Sequence, residues 1–399
     1  MTRPGQRPTT PGRLLALLHR RGTITRAEAT AHLGTARSAM GEAVAELAGL
    51  GLVRVGAEAT SPQRDSAGRG RTSPTLDLAE DGPVSVAVHF HPSGADLAVI
   101  GLGGFTASLE QIPVAWRHED LESSLQQVAQ RIRAAVTRSG RICVGVGVGV
   151  AGVVSGDGRT VLSALYLGWT EVPLAEILET FLPDGLRVSI HNDAALTALA
   201  EFRRGAGRGA STLLVLSCEH TGIGGALVSG HGSTEGLRHT LEAGHLVLDL
   251  YGPPCPCGQR GCLELYCDGR ALVKATGHDH PDAPSGSRAI ILRARDGEPD
   301  AHRAVRDVAN RLGTGLASLV NVLGPDRVVL AGILGDYLAL AADDLQAHLH
   351  ASIVARLHQT TLTSAALDRP VLLGAAEHLF EPLLADPVQE MRNAAFPGG

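Results

Sequence analysis

The stretch from Glu242 to Glu264, EAGHLVLDLYGPPCPCGQRGCLE, constrains this chain more than any other. It sets His245, Cys255, Cys257 and Cys262 close together, and three thiolates with one imidazole are the usual ligand set of a tetrahedral structural zinc ion. Pro253, Pro254 and Pro256 stiffen the approach, while Gly258 and Gly261 let the backbone turn sharply enough to bring the third thiolate back. Two disulfides, or buried free cysteines beside a chance histidine, are the plainer alternatives. No signal-peptide pattern opens the chain, so a reducing compartment is expected, in which disulfides are rare and zinc is the favoured reading. Four protein ligands leave no open coordination position, so the metal is expected to be architectural and to fix the flanking carboxylates Glu242 and Glu264.

This stretch resembles the signature of the ROK family, which contains bacterial sugar kinases and sugar-responsive repressors. The family pattern runs Glu, a Gly-neighboured His, then Cys-x-Cys-Gly-x-x-Gly-Cys-x-Glu. It is matched by Glu242, His245, Cys255, Cys257, Gly258, Gly261, Cys262 and Glu264. The resemblance implies that Glu242, His245 and Glu264 contact sugar hydroxyls while His245, Cys255, Cys257 and Cys262 hold zinc. Cys267 stands where many members have serine, a neutral change.

With 399 residues, two or three domains are the natural expectation. Aromatic residues make up only 3% of the chain, which argues against recognising nucleic acid by stacking bases on exposed rings. The longest apolar run, Ile142 to Val154, is short for a membrane helix and interrupted by glycines. A soluble, cytoplasmic protein with no membrane partner is expected. Residues 1 to 80 hold 11 Arg against 7 Asp and Glu, a balance of +4, which leaves −10 for the remainder of a chain whose net charge is −6. A small basic head on an acidic body favours a nucleic-acid-binding module, although a merely solvated face gives the same balance.

Residues 1 to 12, rich in Pro, Thr and Arg, are expected to be disordered. From Arg13, Leu14, Leu17 and Leu18 recur at helical spacing. A short helix over Arg26 to His32 has Thr25 as N-cap, with Glu28 completing a capping box. Gly34 makes a turn, and a third helix over Ala36 to Leu50 puts Met40, Val44 and Leu47 on one face. Leu52 to Val55 and Thr75 to Leu78 read as strands flanking a polar segment, Gly56 to Pro74, that holds Arg64, Arg69 and Arg71. This is the order of a winged helix-turn-helix, whose last helix enters the major groove by its N-terminal residues. Arg37, Ser38, Glu42, Arg69 and Arg71 are the expected DNA contacts. Three amphipathic helices could equally form a docking bundle. The repressors of the ROK family carry such a module ahead of the sugar domain, and its kinases usually lack it. Recognition helices there often begin Leu-Ser-Arg-Ala-Thr-Val-Ser, where this chain has Thr35-Ala36-Arg37-Ser38-Ala39-Met40-Gly41.

From Val84 the chain alternates strand-like runs, Val84 to Phe90, Asp96 to Gly101, Ile142 to Val150 and Leu186 to Ile190, with helices over Leu121 to Ser139 and Leu174 to Phe181. A second series runs through Ser211 to Ser217, Gly224 to Val228 and Arg327 to Leu330. The pattern is α/β, two similar halves with a cleft between them. The resemblance covers about residues 82 to 385 and implies a two-lobed, actin-like (ribonuclease H-like, sugar kinase) domain with a zinc knuckle, its C-terminal helix returning to the first lobe. Asn192 and Asp193, between a strand and a helix, have an ordinary explanation as helix caps. They match the family pair in which asparagine binds the sugar and aspartate is the kinases' general base. Gly147 to Gly152 and Leu167-Gly168-Trp169 match family segments near the sugar, with Ala151 where proline is common.

The phosphate loops of the kinases are not kept. Asp-x-Gly-Gly-Thr is replaced by His89-Phe90-His91-Pro92-Ser93, losing the magnesium carboxylate and the loop glycines, and Pro92 removes a backbone donor. The second loop, Gly-Thr-Gly-x-Gly, reads His220-Thr221-Gly222-Ile223-Gly224, and Ala331-Gly332 stands for Gly-Gly. Phosphoryl transfer depends on those groups for positioning and charge stabilisation. The expected organisation is a disordered tail (1–12), a winged helix-turn-helix (13–80), a first lobe (81–200 with 370–399) and a second lobe with the zinc knuckle (201–369). The expected function is a sugar-responsive regulator, a repressor, that binds operator DNA as a homodimer or homotetramer. Asn192, Asp193, Glu242, His245 and Glu264 would take an effector sugar without phosphorylating it, and Asp193 would be a vestigial base. The alternative is an ATP-dependent sugar kinase with an appended DNA-binding head.

Overall fold

The computed structural model describes residues 8–59, 73–219, 221–230, 239–277 and 283–393. Arg64, Arg69, Arg71 and His220 lie outside the described residues, as does most of the segment expected to form a wing.

The N-terminal module comprises α1 (Thr10–Arg21), β1 (Ile24–Thr25), α2 (Arg26–Leu33), α3 (Arg37–Gly49), β2 (Val53–Ala59) and β3 (Ser73–Leu78). The first helix begins at Thr10, so Thr10 to Gly12 are helical, which corrects the expectation of a disordered stretch up to residue 12. The Thr9 hydroxyl accepts the Gly12 N–H at 3.1 Å, and Pro11 sits in the first turn, where its missing N–H goes unmissed. The capping box of α2 is present: Thr25 Oγ1 accepts the Glu28 N–H at 3.2 Å and Glu28 Oε2 accepts the Thr25 N–H at 2.9 Å. Gly34 ends α2 in the left-handed conformation. The three strands form one antiparallel sheet in the order β1-β3-β2.

The first half of the body contains β4 (Val84–His91), β5 (Gly94–Gly101), β6 (Thr106–Pro113), α4 (Leu121–Ser139), β7 (Cys143–Val150), β8 (Val153–Val154), β9 (Val161–Ala164), β10 (Trp169–Val172), α5 (Leu174–Thr180), β11 (Val188–Asn192) and α6 (Asp193–Arg204). The second contains β12 (Thr212–Cys218), β13 (Gly224–Ser229), β14 (His239–Leu241), α7 (Glu264–Cys267), α8 (Gly269–Ala275), α9 (Ala283–Arg295), α10 (Pro299–Leu323), β15 (Arg327–Gly332), α11 (Ile333–Leu340), α12 (Ala342–Ala351), α13 (Ile353–His358) and β16 (Thr361–Ser364). The chain closes with α14 (Pro370–Ala385) and α15 (Pro387–Asn393).

The two five-stranded sheets, β11-β7-β4-β5-β6 and β14-β13-β12-β15-β16, share one plan. In each, the first strand pairs antiparallel with the second and parallel with the fourth, and the fifth extends the parallel side. The expected α/β pattern of two similar halves is therefore what forms. Strands β6, β14 and β16 and the small sheet β10-β9-β8 are additions that the apolar runs did not signal. Helix α14 leaves the second half and packs on β7, β4 and α6.

One face of the first sheet forms a core with α4 and α5. The other face shares a core with α14 and with the N-terminal module, through Leu14, Leu18, Met40, Leu47 and Leu76. The head is thus seated on the body by apolar burial. Among the described residues no helix is long and apolar enough to cross a membrane.

Candidate functional site

A cavity of about 350 Å³ lies between the two sheets. Its walls come from the C-terminal ends of β4, β7, β11 and β12 and from the loop that carries the cysteines, the crevice where open α/β sheets bind ligands. Asn192, Asp193, Glu242, His245 and Glu264, which the sequence placed in one site, all line it.

Asn192 ends β11 and caps α6. Its Oδ1 accepts the Ala195 N–H at 3.1 Å and its Nδ2 donates to the Gly152 carbonyl at 3.0 Å, which pins the Ala151–Gly152 turn. Asp193 follows in the first turn, with Oδ1 accepting the Ala194 N–H at 2.8 Å and Oδ2 lying 3.8 Å from His89 Nε2. The helix-cap explanation is therefore met by Asn192, whose side chain also faces the pocket. Glu264 opens α7 and is 2% exposed. Its Oε1 accepts the Tyr166 hydroxyl at 3.0 Å and the Cys255 thiol at 3.3 Å. Glu242 is more open, with Oε2 4.0 Å from His245 Nε2.

Sequence reasoning missed Tyr166, Asp268 and Arg270. Arg270 donates from Nη2 to the Tyr166 hydroxyl at 2.8 Å and from Nε to Asp268 Oδ2 at 2.8 Å. The fully buried Asp268 caps α8 by accepting the Ala271 N–H at 3.0 Å, and it also accepts the Gly222 N–H at 3.2 Å. Gly222 has φ +78°, and a Cβ there would stand 2.6 Å from the Tyr166 ring. The chain Glu264–Tyr166–Arg270–Asp268–Gly222 thus holds the pocket wall by side chains far apart in sequence. Burial first, then the Glu264 charge, pushes the Tyr166 phenol well above its ordinary range, so it stays a donor.

His245, Cys255, Cys257 and Cys262 bring one ligand atom each within 4.8 Å of one another. Cys257 Sγ and Cys262 Sγ are 3.7 Å apart, and Cys255 Sγ lies 3.6 Å from His245 Nδ1. A tetrahedral zinc with bonds of about 2.3 Å to sulfur and about 2.0 Å to nitrogen has edges of roughly 3.8 and 3.5 Å, so the donor set fits. All six cysteines are free. The isolated bridges Val247–Cys262 and Pro254–Arg260 clamp the loop.

The opposite wall is built differently. The Trp116 indole donates to the His91 carbonyl at 2.8 Å, and Phe90 packs against Trp116 and Trp169 with centroids 5.3 and 5.5 Å away. The His89-Phe90-His91-Pro92 segment is thereby held against a ring cluster, with His89 turned to Asp193. Asp96 lies 3.7 Å from His91 and takes Arg369 at 2.5 Å. The pocket lining as a whole carries Asp193, Glu219, Glu242 and Glu264, and no Lys or Arg is among its described residues.

On the N-terminal module, Arg37, Ser38 and Glu42 are exposed at the start of α3, opposite the buried Met40, Val44 and Leu47. Ala36 offers α3 no side-chain cap, so its first N–H groups stay open to solvent or a ligand.

The model of the ROK family matches residues 94–380. A putative xylose repressor from Caldicellulosiruptor sp. (strain Rt8B.4) is 34% identical over 289 residues, 67% of this chain and 70% of that one. A glucokinase from Streptomyces coelicolor is 30% identical over 288 residues, 67% of this chain and 88% of that one. The crystal structure of a ROK family transcriptional regulator, a homolog of the E. coli MLC protein, superposes with a TM-score of 0.75 at 20% identity, covering 96% of this chain and 98% of that one.

Proposed function

The chain belongs to the ROK family, and from that premise we propose that it is a DNA-binding repressor whose pocket takes a sugar or sugar derivative as effector without phosphorylating it. The observation that carries this reading is His89 standing 3.8 Å from Asp193 in a pocket that also gathers Asn192, Glu242, His245 and Glu264. Convergent carboxylate, amide and imidazole groups suit hydroxyls, and a site built to bond them rejects ligands that leave them unpaired. Where a nucleotide triphosphate would have to lie, the wall offers carboxylates and imidazoles in place of backbone amides and a metal carboxylate. The same acidic wall favours an uncharged effector over a phosphorylated one.

The organisation proposed is the winged helix-turn-helix at 13–80, an actin-like first lobe at 81–200 with 370–399, and a second lobe at 201–369. Support comes from the repeated strand plan and from a neighbour of regulator type that spans nearly the whole chain. Arg37, Ser38 and Glu42 would meet base edges, with Arg69 and Arg71 on phosphates. Zinc would be held by His245, Cys255, Cys257 and Cys262, and with four protein ligands its part is to fix the loop. A cytoplasmic homodimer or homotetramer on a two-fold symmetric operator completes the reading. The rival is an ATP-dependent sugar kinase with an appended head, favoured by the glucokinase relative and by the presence of Asp193.

Selection from a genomic fragment library with the full chain tests the proposal. It should enrich a two-fold symmetric sequence whose binding weakens with salt and responds to glucose, xylose or another sugar. Recovery of no enriched sequence contradicts it.

A further inference from the structure

Resting on the sugar-regulator reading, we propose that α6 carries the occupancy of the pocket to the N-terminal module through a buried charge node centred on Glu377. Helix α6 has 12 residues, about 18 Å at 1.5 Å per residue. Asn192 and Asp193 stand at its pocket end, and Arg203 and Arg204 at the other. Ala194 to Phe202 are all buried, so the helix has little freedom to bend or slide alone.

At the far end, Arg203 Nη1 donates to the Glu377 carbonyl at 3.1 Å and to its Oε2 at 3.3 Å, while Nη2 pairs with Glu381. Arg204 pairs through Nε with Glu377 and donates from Nη1 to the Gly103 carbonyl at 2.8 Å and from Nη2 to the His19 carbonyl at 3.2 Å. His19 belongs to α1, in the N-terminal module. The Gly103 N–H donates to His19 Nδ1 at 2.9 Å, and His19 Nε2 lies between Glu377 Oε1 at 2.9 Å and Arg204 Nη2 at 2.5 Å. His19 and Glu377 are each 2% exposed. The node is a closed ring joining α1, the Leu102–Gly104 turn, α6 and α14.

The helices that meet there have no slack between them. A methyl group on Gly374 would stand 2.0 Å from the Leu196 carbonyl oxygen, and one on Gly12 would stand 2.2 Å from that of Ala385. Helix α14 therefore lies backbone to backbone on α6 and on α1. A desolvated, fully paired node has discrete arrangements in place of a continuum, because any half-broken state leaves a buried charge unpaired. A shift of α6 set by a ligand on Asn192 and Asp193 must move Arg204, and Arg204 must take His19 with it or let go.

Two full-chain variants test this. His19→Leu removes the ring that bridges Gly103 and Glu377, leaving Glu377 its two arginines and α1 only the Arg204 bond to the residue-19 carbonyl. Arg204→Lys keeps a cation on Glu377 but loses the bonds to Gly103 and His19, and decides the matter if His19→Leu does not fold. Hydrogen exchange is followed with and without saturating glucose or xylose. In wild type, exchange should change in residues 188–196 and also in α1 and α3. In both variants the first change should persist, while the second should weaken in His19→Leu and fall to background in Arg204→Lys. The ratio of DNA affinities with and without sugar, about 5- to 150-fold for an allosteric pair, should collapse toward one on the duplexes enriched by genomic selection. Undiminished transmission in the variants overturns the proposal and leaves the sugar pocket standing. No sugar-dependent change at 188–196 in wild type removes the sugar reading, and this inference with it.

Discussion

Glu264 is the residue on which the two parts of the site meet, since it touches the Cys/His cluster through Cys255 and the pocket wall through Tyr166. Glu264→Gln keeps the shape and removes the charge. Losing one charge-assisted hydrogen bond to a sugar, worth roughly 1.5–3 kcal/mol, should weaken sugar binding by about 10- to 100-fold. Calorimetry reads this directly, with DNA binding in the absence of sugar unchanged. Cys257 is the exposed member of the cluster. Cys257→Ser should lower zinc from about one ion per chain and reduce the thermal midpoint. Metal analysis that finds no zinc in wild-type protein purified without chelator contradicts the assignment. These residues were legible in the sequence because a tetrahedral Cys/His site needs its donors at short, rigid spacing, which leaves a local pattern. Tyr166, Asp268 and Arg270 were not legible. Their partners sit up to about a hundred positions away, and a lone Tyr or Arg carries no signal of which carboxylate it will meet.

At the scale of elements, α3 presents Arg37, Ser38 and Glu42 outward from a buried Met40–Val44–Leu47 stripe, the placement a recognition helix needs. Arg37→Ala should cost about 1–3 kcal/mol on the preferred duplex and relax discrimination among sites, as loss of a base contact does. An equal loss on all duplexes in a competition assay would make Arg37 a phosphate contact. The helices α2, α3 and α4 lie within about two residues of their expected bounds, because the capping box and Gly34 punctuate α2, Gly34 and Gly51 flank α3, and Gly140 ends α4. Strand β6 was missed because it is an edge strand exposed along most of its length, TASLEQIP, whose polar residues read as loop. Helix α1 starts early because Thr9 and Pro11 form a cap and first turn that the Pro- and Thr-rich composition masked.

For the whole molecule, the seat of the head on the body sets an acid limit. Burial holds the His19 pKa below its ordinary 6.5, and burial with the neighbouring His378 charge pushes His191 down to about 3. Both rings stay neutral in the fold while the unfolded chain takes up protons, so stability falls as pH drops below about 6.5. Burial opposes ionisation of Glu377, but the bond from His19 and the charges of Arg204 and Arg203 outweigh it and hold its carboxyl well below its ordinary 4.5. That contribution is complete above 4.5 and is lost as pH falls further toward the folded value. Other carboxylates held low in the fold, Asp96 and Glu179 among them, act in the same range, so thermal midpoints should decline in two stages and Glu377→Gln should shrink the lower one. A flat profile between pH 7 and 3 contradicts this. The repeated strand plan of the two sheets was legible as alternating apolar runs, whereas the node that ties α1 to α6 and α14 was not, since it joins residues from both ends of the chain. The proposed regulator needs a pocket that binds a sugar and has no place for a phosphoryl donor. Calorimetry of the full chain with glucose, xylose and Mg-ATP, followed by product analysis, tests this most directly. A sugar should give heat while Mg-ATP gives none and does not alter the sugar affinity, and no sugar phosphate should form overnight. Micromolar Mg-ATP binding, or a sugar phosphate that disappears in Asp193→Asn, would contradict it.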